Sequence, residues 1–154
     1  MTKQYTNELT AEMRAAFDQL PFTNEQLAKM DEETQALITE QHAFNLAHPV
    51  TAAYLIATEG SLTRNGGTVI SEYTGQQILI DDGTFVNVSL VGDEVRYPNG
   101  DTAKIVTGTG HTPGESIALV GSTLDNGDEI ISCPQQRVRR PVRAGETLPD
   151  NFLK

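Results

Sequence analysis

The chain of 154 residues has no tryptophan, one cysteine and only nine tyrosine or phenylalanine side chains. The single cysteine, Cys133, excludes an internal disulfide, so the fold must hold without one. No apolar run reaches the roughly 18 residues that a membrane-spanning helix needs. The first 20 residues lack the basic start and apolar centre of a secretory signal peptide. The sequence therefore predicts a protein that folds in the cytoplasm and that leaves the cell, if it does so, by a route without a signal peptide.

Positive charge is scarce and unevenly distributed. The chain carries 11 Lys or Arg against 21 Asp or Glu, a net charge of −10. This balance argues against a nucleic-acid partner, because contacts to phosphate need a basic face. The net charge is −5 over residues 1–53, −8 over 54–136 and +3 over 137–154. The last change of sign falls on RVRRPVR (137–143), which predicts a basic, extended tail over 137–154.

Residues 7–47 have the periodicity of a helical hairpin, which makes 1–53 a helical N-terminal extension. Pro21 ends a first amphipathic helix, and Thr23 to Gln26 form a capping-box pattern that starts a second one. The apolar stripe of the second helix is spaced at helical intervals. Its members are Leu27, Met30, Leu37, Ile38 and Phe44.

From Tyr54 onwards the sequence consists of short apolar segments typical of strands, separated by glycine-containing turns. This pattern predicts a β domain over 54–136. One phrase occurs there three times. The copies are GSLTRNGGTVIS (60–71), GDEVRYPNGDTAKIV (92–106) and GSTLDNGDEIIS (121–132). Each copy passes through Asn-Gly, the strongest short-range indication of a hairpin turn, into a β-branched strand. Self-similarity of this kind is typical of units that are stacked or arranged about an axis.

The three phrases, together with VSLVGDEV (88–95) and IALVGSTL (117–124), resemble the PAAR domain. That family forms the sharpened tip of the spike in type VI secretion systems and in some contractile phage tails. The resemblance covers residues 54–133 and implies a small pseudo-threefold cone of β-hairpins whose base docks on a trimeric β-helical spike protein, VgrG. A mainly β fold of this kind would give one chain three similar edges for three identical partner edges.

The resemblance also carries implications for partners and metal. Extensions in the family carry or recruit cargo, which implies an effector or adaptor bound by residues 1–53 or 137–154, and the tip meets the target membrane transiently. Family members commonly hold zinc near the apex through histidines and a cysteine, whereas this chain has Asn65, Asn99 and, in the third unit, Asn126 or Asp125 there. Asparagine is a poor zinc ligand, so we expect a tip without metal in which the three amides hydrogen-bond to one another and to nearby backbone. A rearranged metal site is the alternative, and His111 and Cys133 are the remaining zinc-type side chains of the β region.

No nucleophile elbow, phosphate-binding loop or dinucleotide motif is present, which predicts a structural protein without enzyme activity. A phage-tail tip is one alternative to the secretion-system tip. An alternative from another class is a small β-rich ligand-binding or catalytic domain, whose site would lie in the His111 loop, GTGHTPGES (108–116).

Overall fold

The computed structural model describes residues 3–110 and 116–154, and it is mainly β with a short helical region. The described residues form three helices: α1 (Ala11–Phe17), α2 (Asn24–Ala28) and α3 (Glu32–Ala47). Nine strands follow: β1 (Val50–Leu55), β2 (Leu62–Thr63), β3 (Thr68–Ile70), β4 (Gln77–Leu79), β5 (Phe85–Asn87), β6 (Glu94–Arg96), β7 (Thr102–Lys104), β8 (Ile130–Ser132) and β9 (Arg139–Arg143). Within the described ranges, no helix is both long enough and apolar enough to cross a membrane.

The predicted start of the second helix is confirmed, but its predicted length is wrong. Thr23 Oγ1 accepts from Gln26 N at 3.1 Å, and Gln26 Oε1 accepts from Thr23 N at 2.8 Å, which completes the capping box. The helix nevertheless ends at Ala28, and α3 starts after a new N-cap at Asp31, whose Oδ1 accepts from Thr34 N at 2.7 Å. Three helices therefore replace the predicted hairpin of two, because Asp31 offers a side-chain acceptor to a fresh helix N-terminus.

The apolar stripe predicted for the second helix is also wrong over α3. Leu37 is 61% exposed and Phe44 is 53% exposed. The half-buried face of α3 is instead made by side chains at helical spacing that are mostly polar: Gln35, Ile38, His42 and Asn45. None of the three helices contains a buried residue. The helices are therefore held by polar contacts and caps more than by an apolar core.

The three repeated phrases form three antiparallel hairpins. Their strands β2, β3, β6, β7 and β8 make a five-stranded sheet of order β7-β6-β3-β2-β8, and the first arm of the third hairpin joins it through an isolated bridge between Thr123 and Glu129. Separately, β4 pairs with β5 and β1 with β9. Each repeat begins with its own turn, and the three turns are of the same kind. Its glycine has a left-handed φ, 84° at Gly60, 102° at Gly92 and 111° at Gly121, which is the conformation that glycine adopts without steric cost. The amide of Gly60 donates to Val69 O and that of Gly121 to Ile130 O, nine residues on, whereas Gly92 N donates to Ile105 O, thirteen residues on. The second hairpin is thus four residues longer than its two counterparts.

The predicted Asn-Gly turns are confirmed in all three repeats. Each turn closes with a hydrogen bond from the glycine N to the carbonyl three residues before it: Gly66 to Thr63 at 3.1 Å, Gly100 to Tyr97 at 3.0 Å and Gly127 to Leu124 at 3.0 Å. The three glycines have φ of 90°, 92° and 86°. This pattern matches the three-residue hairpin loop with a left-handed residue.

Backbone hydrogen bonds join the three repeats to one another in cyclic order. Ala57 N donates to Ala118 O at 3.0 Å, Ala118 N to Ser89 O at 2.9 Å, and Ser89 N to Ala57 O at 2.9 Å, which closes a ring of three bonds. A second set repeats the arrangement two residues away. Its members, all at 2.9 Å, run from Glu59 N to Asn87 O, from Val91 N to Ser116 O, and from Val120 N to Leu55 O.

Strand pairing follows the same cycle. Thr63 of the first repeat pairs with Ile130 of the third, Val95 of the second with Val69 of the first, and Leu124 of the third with Ile105 of the second. All six of these residues are buried, so the core is built from equivalent positions of the three hairpins.

Contacts within the folded chain define two compact units. Their boundaries differ from the predicted segments 1–53, 54–136 and 137–154. The β-rich unit includes residues 3–7, 54–110, 116–140 and 147–154; the second unit holds residues 8–53 and 141–146. Tyr5 pairs antiparallel with Cys133, and Asn7 Oδ1 accepts from Leu55 N at 2.7 Å, which places this N-terminal segment in the β-rich unit. The predicted tail likewise contains β9 and the buried Phe152, whose ring meets Tyr54 edge to face.

Candidate functional site

The candidate site lies at the Asn-Gly ends of the three hairpins, where the sequence singled out Asn65, Asn99 and Asn126. All three residues are exposed, and no hydrogen bond joins their side chains to one another. Asn99 Oδ1 accepts from Asp101 N at 3.0 Å and Asn126 Oδ1 accepts from Asp128 N at 2.9 Å. These are bonds to the backbone two residues on, which asparagine forms readily in turns. The amide-to-amide bonding expected at the tip is therefore replaced by local turn bonds.

Two of the three asparagines nevertheless belong to one shared cluster. Asn65 N donates to Asp128 Oδ1 at 3.2 Å, and Asn126 Nδ2 donates to the Tyr97 hydroxyl at 3.0 Å. Asn99 is outside this cluster, because its side chain bonds only to Asp101 within its own turn. Asn99 does not reach the cluster because the second hairpin is longer. Its extra residues place its Asn-Gly turn further along the strands than the other two turns.

The centre of the cluster is Asp128, which sequence reasoning did not single out. Its side chain is 2% exposed, so the carboxylate is almost fully removed from water. Oδ1 accepts from Glu129 N at 2.8 Å and from Asn65 N at 3.2 Å, while Oδ2 accepts from the Tyr97 hydroxyl at 2.5 Å. Burial of a carboxylate is costly unless hydrogen bonds replace those to water, and here three donors do so.

The ionisation of the cluster follows from these contacts. Burial raises the pKa of Asp128, but hydrogen bonds from the nearby Thr63 hydroxyl, the Tyr97 hydroxyl and the amides of Glu129 and Asn65 together lower it below the usual value. For Tyr97, burial raises the pKa, and the adjacent Asp128 raises it further. At neutral pH the pair is thus a carboxylate that accepts from a protonated phenol.

Tyr97 of the second hairpin can pack against the first hairpin because residue 67 is glycine and has no side chain. A Cβ on Gly67 would lie 2.5 Å from Val95 Cγ1, 2.9 Å from Thr63 Oγ1 and 3.0 Å from Tyr97 Cε1. Such contacts are too short for ordinary atoms, so this position must be glycine for the second hairpin to pack against the first. The second glycine of NGG thus serves packing, whereas the first serves the turn.

The residues at these ends do not fit the zinc ion that the family resemblance implies. The cluster offers one carboxylate, a phenol, hydroxyl groups and amides, whereas structural zinc takes four His or Cys ligands. Cys133 is fully buried, its Sγ donates to Gln135 O at 3.2 Å, and burial raises its pKa to about 11. Among the described residues no three His, Cys, Asp or Glu side chains come together as a metal site. His111 lies outside the described residues.

A shallow groove of about 340 Å³ lies beside β3 and the β4–β5 hairpin in the β-rich unit. Its two carboxylates are both engaged. Glu59 Oε1 accepts from Asn87 N at 2.9 Å, and Asp82 Oδ1 accepts from Thr84 N and from the Thr84 hydroxyl. Glu59 thus joins two segments that are 28 residues apart, whereas Asp82 stabilises its own turn.

Comparison of the chain with protein-family models, with characterised proteins and with solved structures found no match.

Proposed function

We propose that the protein is the tip of a contractile injection machine, a PAAR-like pseudo-threefold cone that caps a trimeric β-helical spike of the VgrG type. The observation that carries the proposal is the closed cycle of hydrogen bonds between Ala57, Ser89 and Ala118. Equivalent residues of three repeats there donate and accept in turn, as they would around a threefold axis. A single chain gains from such an axis when its partner has three identical edges.

The docking surface would use apolar positions that recur in the three repeats. Ile70, Val106 and Ile131 each follow one of the buried residues Val69, Ile105 and Ile130 along the chain. Val106 is 47% exposed, Ile131 is 41% exposed and Ile70 is partly buried. Exposed apolar side chains at equivalent positions suit contact with three like surfaces, and apolar contact supplies most of the affinity at such interfaces.

The test is co-purification of the full chain with a trimeric β-helical spike protein of the VgrG type, followed by native mass measurement. One chain per trimer is expected. Val106→Glu and Ile131→Glu should each weaken co-purification at least about tenfold, because a charge is desolvated at the interface. Phe85→Glu is the matched control, since Phe85 is 61% exposed in the β-rich unit but lies outside the three repeats. A folded chain that fails to bind, or that binds at three copies per trimer, would contradict the proposal.

The other expected features belong to the same proposal. The protein is made in the cytoplasm, is exported on the spike, contacts the target membrane transiently and catalyses no reaction. Cargo or an adaptor would bind residues 1–53 or 137–154. Exposed apolar side chains on α3, Leu37, Phe44 and Leu46, favour the first of these two segments. A phage-tail tip uses the same contacts and is distinguished by whether the neighbouring genes encode tail or secretion components.

A further inference from the structure

The Asn-Gly ends of the hairpins contain one side chain that contacts all three repeats. Asp128 belongs to the third repeat, accepts from Asn65 N of the first at 3.2 Å and accepts from the Tyr97 hydroxyl of the second at 2.5 Å. Asn126 adds a bond from the third repeat back to Tyr97 at 3.0 Å. Two backbone bonds at these ends each join one pair of repeats, from Arg64 N to Glu129 O and from Asp125 N to Lys104 O, both at 2.9 Å. The Asp128 carboxylate is bonded to all three repeats.

We propose that the Asp128 carboxylate, and not a metal ion, locks the three hairpin ends together. A metal at a tip joins ligands from several turns through one centre. Here the carboxylate is that centre, and its partners are donors instead of ligands. The assignment concerns the β-rich unit itself and does not depend on the proposed docking partner.

The chemistry of the cluster favours hydrogen bonding over metal binding. Both Asp128 oxygens already accept bonds from backbone or hydroxyl donors, so most of the lone-pair positions of the carboxylate are taken. Tyr97 would have to lose its proton to become a metal ligand, whereas burial and the adjacent carboxylate both favour the protonated phenol. The exposed side chains of Arg64 and Glu129 form an ion pair between the first and third repeats, so they neutralise each other beside the lock.

The first arm of the test asks whether metal is needed. The purified full chain is analysed for bound metal, and its thermal unfolding is recorded with and without a chelator. We expect substoichiometric zinc and the same Tm in both conditions. One zinc per chain that is lost on Asp128→Asn, together with a lower Tm in chelator, would overturn the proposal.

The second arm asks whether the carboxylate and the phenol act together. Asp128→Asn and Tyr97→Phe are each expected to lower Tm by about 3–8 °C, and the double variant should lose much less than the sum of the two, because both remove the same bond. Asp82→Asn and Tyr73→Phe are the matched controls, an exposed turn aspartate and an exposed tyrosine of the same unit. Tm values that equal those of the controls, or losses that simply add, would rule out the lock.

If Asp128→Asn does not fold, Tyr97→Phe still decides the question, because it removes one hydroxyl and keeps the ring that packs against the core. Its expected signature is faster hydrogen exchange at the amides of Asn65 and Glu129, with unchanged exchange in the ring of backbone bonds. Unchanged exchange at both amides would contradict the proposal. A failure of spike docking with an intact lock would overturn only the proposed function.

Discussion

At the scale of single residues, the end of the β-rich unit is organised by a buried carboxylate and by a glycine. Asp128 combines 2% exposure with donors from three repeats, and Gly67 leaves the space that Val95 and Tyr97 occupy. Neither role follows from residue type, since aspartate and glycine are common in turns for local reasons. Both roles come from what other repeats place beside these residues.

The ionisation of Asp128 predicts a pH dependence of stability. Because the pKa is lower in the folded chain than in the unfolded chain, the stabilisation is complete above the unfolded value of about 3.9 and is lost as the pH falls through the folded pKa. The free energy of unfolding in urea, measured from pH 7 to pH 2.5, should therefore differ between the natural chain and Asp128→Asn by about 1.5–3 kcal/mol at neutral pH.

That difference should shrink at the acid end of the range. Tyr97, Arg64 and Glu129 are the other ionisable groups around Asp128. The Tyr97 phenol, whose pKa is raised, stays protonated over this range. Arg64 and Glu129 are common to both chains. The lowered pKa values of the exposed Asp31 and Asp82 also cancel in the comparison. A difference that stays constant down to pH 2.5 would show that the charge of Asp128 does not contribute.

Gly67→Ala tests the packing role separately. The added methyl group would meet Val95 and Thr63 at distances that force a shift, and overpacking of this kind costs about 1–3 kcal/mol. The expected result is a lower urea midpoint with an unchanged slope. Gly66→Ala serves as a comparison, because it meets no neighbouring atom and is strained only by its φ of 90°. Equal stability of Gly67→Ala and the natural chain would mean that Tyr97 packs elsewhere.

At the scale of secondary-structure elements, the helical unit depends on a single arginine of β9. Arg143 Nη2 donates to Phe17 O at 2.9 Å, and Nη1 donates to Asn45 O at 2.9 Å and to His48 O at 3.0 Å. These carbonyls lie at the C-terminal ends of α1 and α3, where the last turn of a helix leaves carbonyl groups short of partners. The Asn45 carbonyl also accepts from the amide of the C-cap residue His48 at 3.2 Å. Nη1 also forms an ion pair with Asp18 Oδ1 at 2.9 Å. The predicted basic tail thus supplies a C-terminal cap for two helices.

Replacement of the Arg143 guanidinium by an amine should destabilise the helices while the net charge of the chain stays the same. Arg143→Lys keeps one positive charge but cannot reach four acceptors on two helices. We expect a loss of about 1–3 kcal/mol and a lower far-UV circular dichroism signal at 222 nm on mild heating. Arg96→Lys is the control, because Arg96 is exposed and bonds only to Glu94. Identical melting of the two variants would refute the capping role.

At the scale of the whole molecule, the two units are stabilised by different means. The β-rich unit closes a cycle of backbone bonds around a core built from three equivalent sets of residues, whereas none of the helices buries a residue. Regions with few buried apolar contacts open at lower free energy than a core. The stability of the chain is therefore expected to be uneven.

Native-state hydrogen exchange should reveal this difference. The amides of Ala57, Ser89 and Ala118 belong to one ring and should exchange slowly and with the same free energy, which equals that of global unfolding of their unit. Amides of α3 should exchange faster. Three clearly different free energies within the ring would mean that the hairpins open independently and that the cycle is not cooperative.

The amino-acid sequence by itself determined those features of the fold that depend only on residues close together in the chain. The three Asn-Gly turns and the capping box at Thr23 follow from local backbone preferences, which act over a few residues. So does the change from helices to strands, which was predicted at Tyr54 and lies at Val50. The same local reasoning missed the N-cap at Asp31 and therefore predicted two helices where three are present.

Only the tertiary structure decided which parts of distant segments meet. It closed the three hairpins into a cycle, brought Tyr97 and Asn65 to Asp128, and used the predicted tail as a strand and a helix cap. These contacts depend on hairpin length and on strand register. A shift of the register by one residue would turn every side chain of a strand to the opposite face of the sheet. The repeated phrase thus specified three similar hairpins, while the carboxylate that joins their ends became visible only once their strands had been placed side by side.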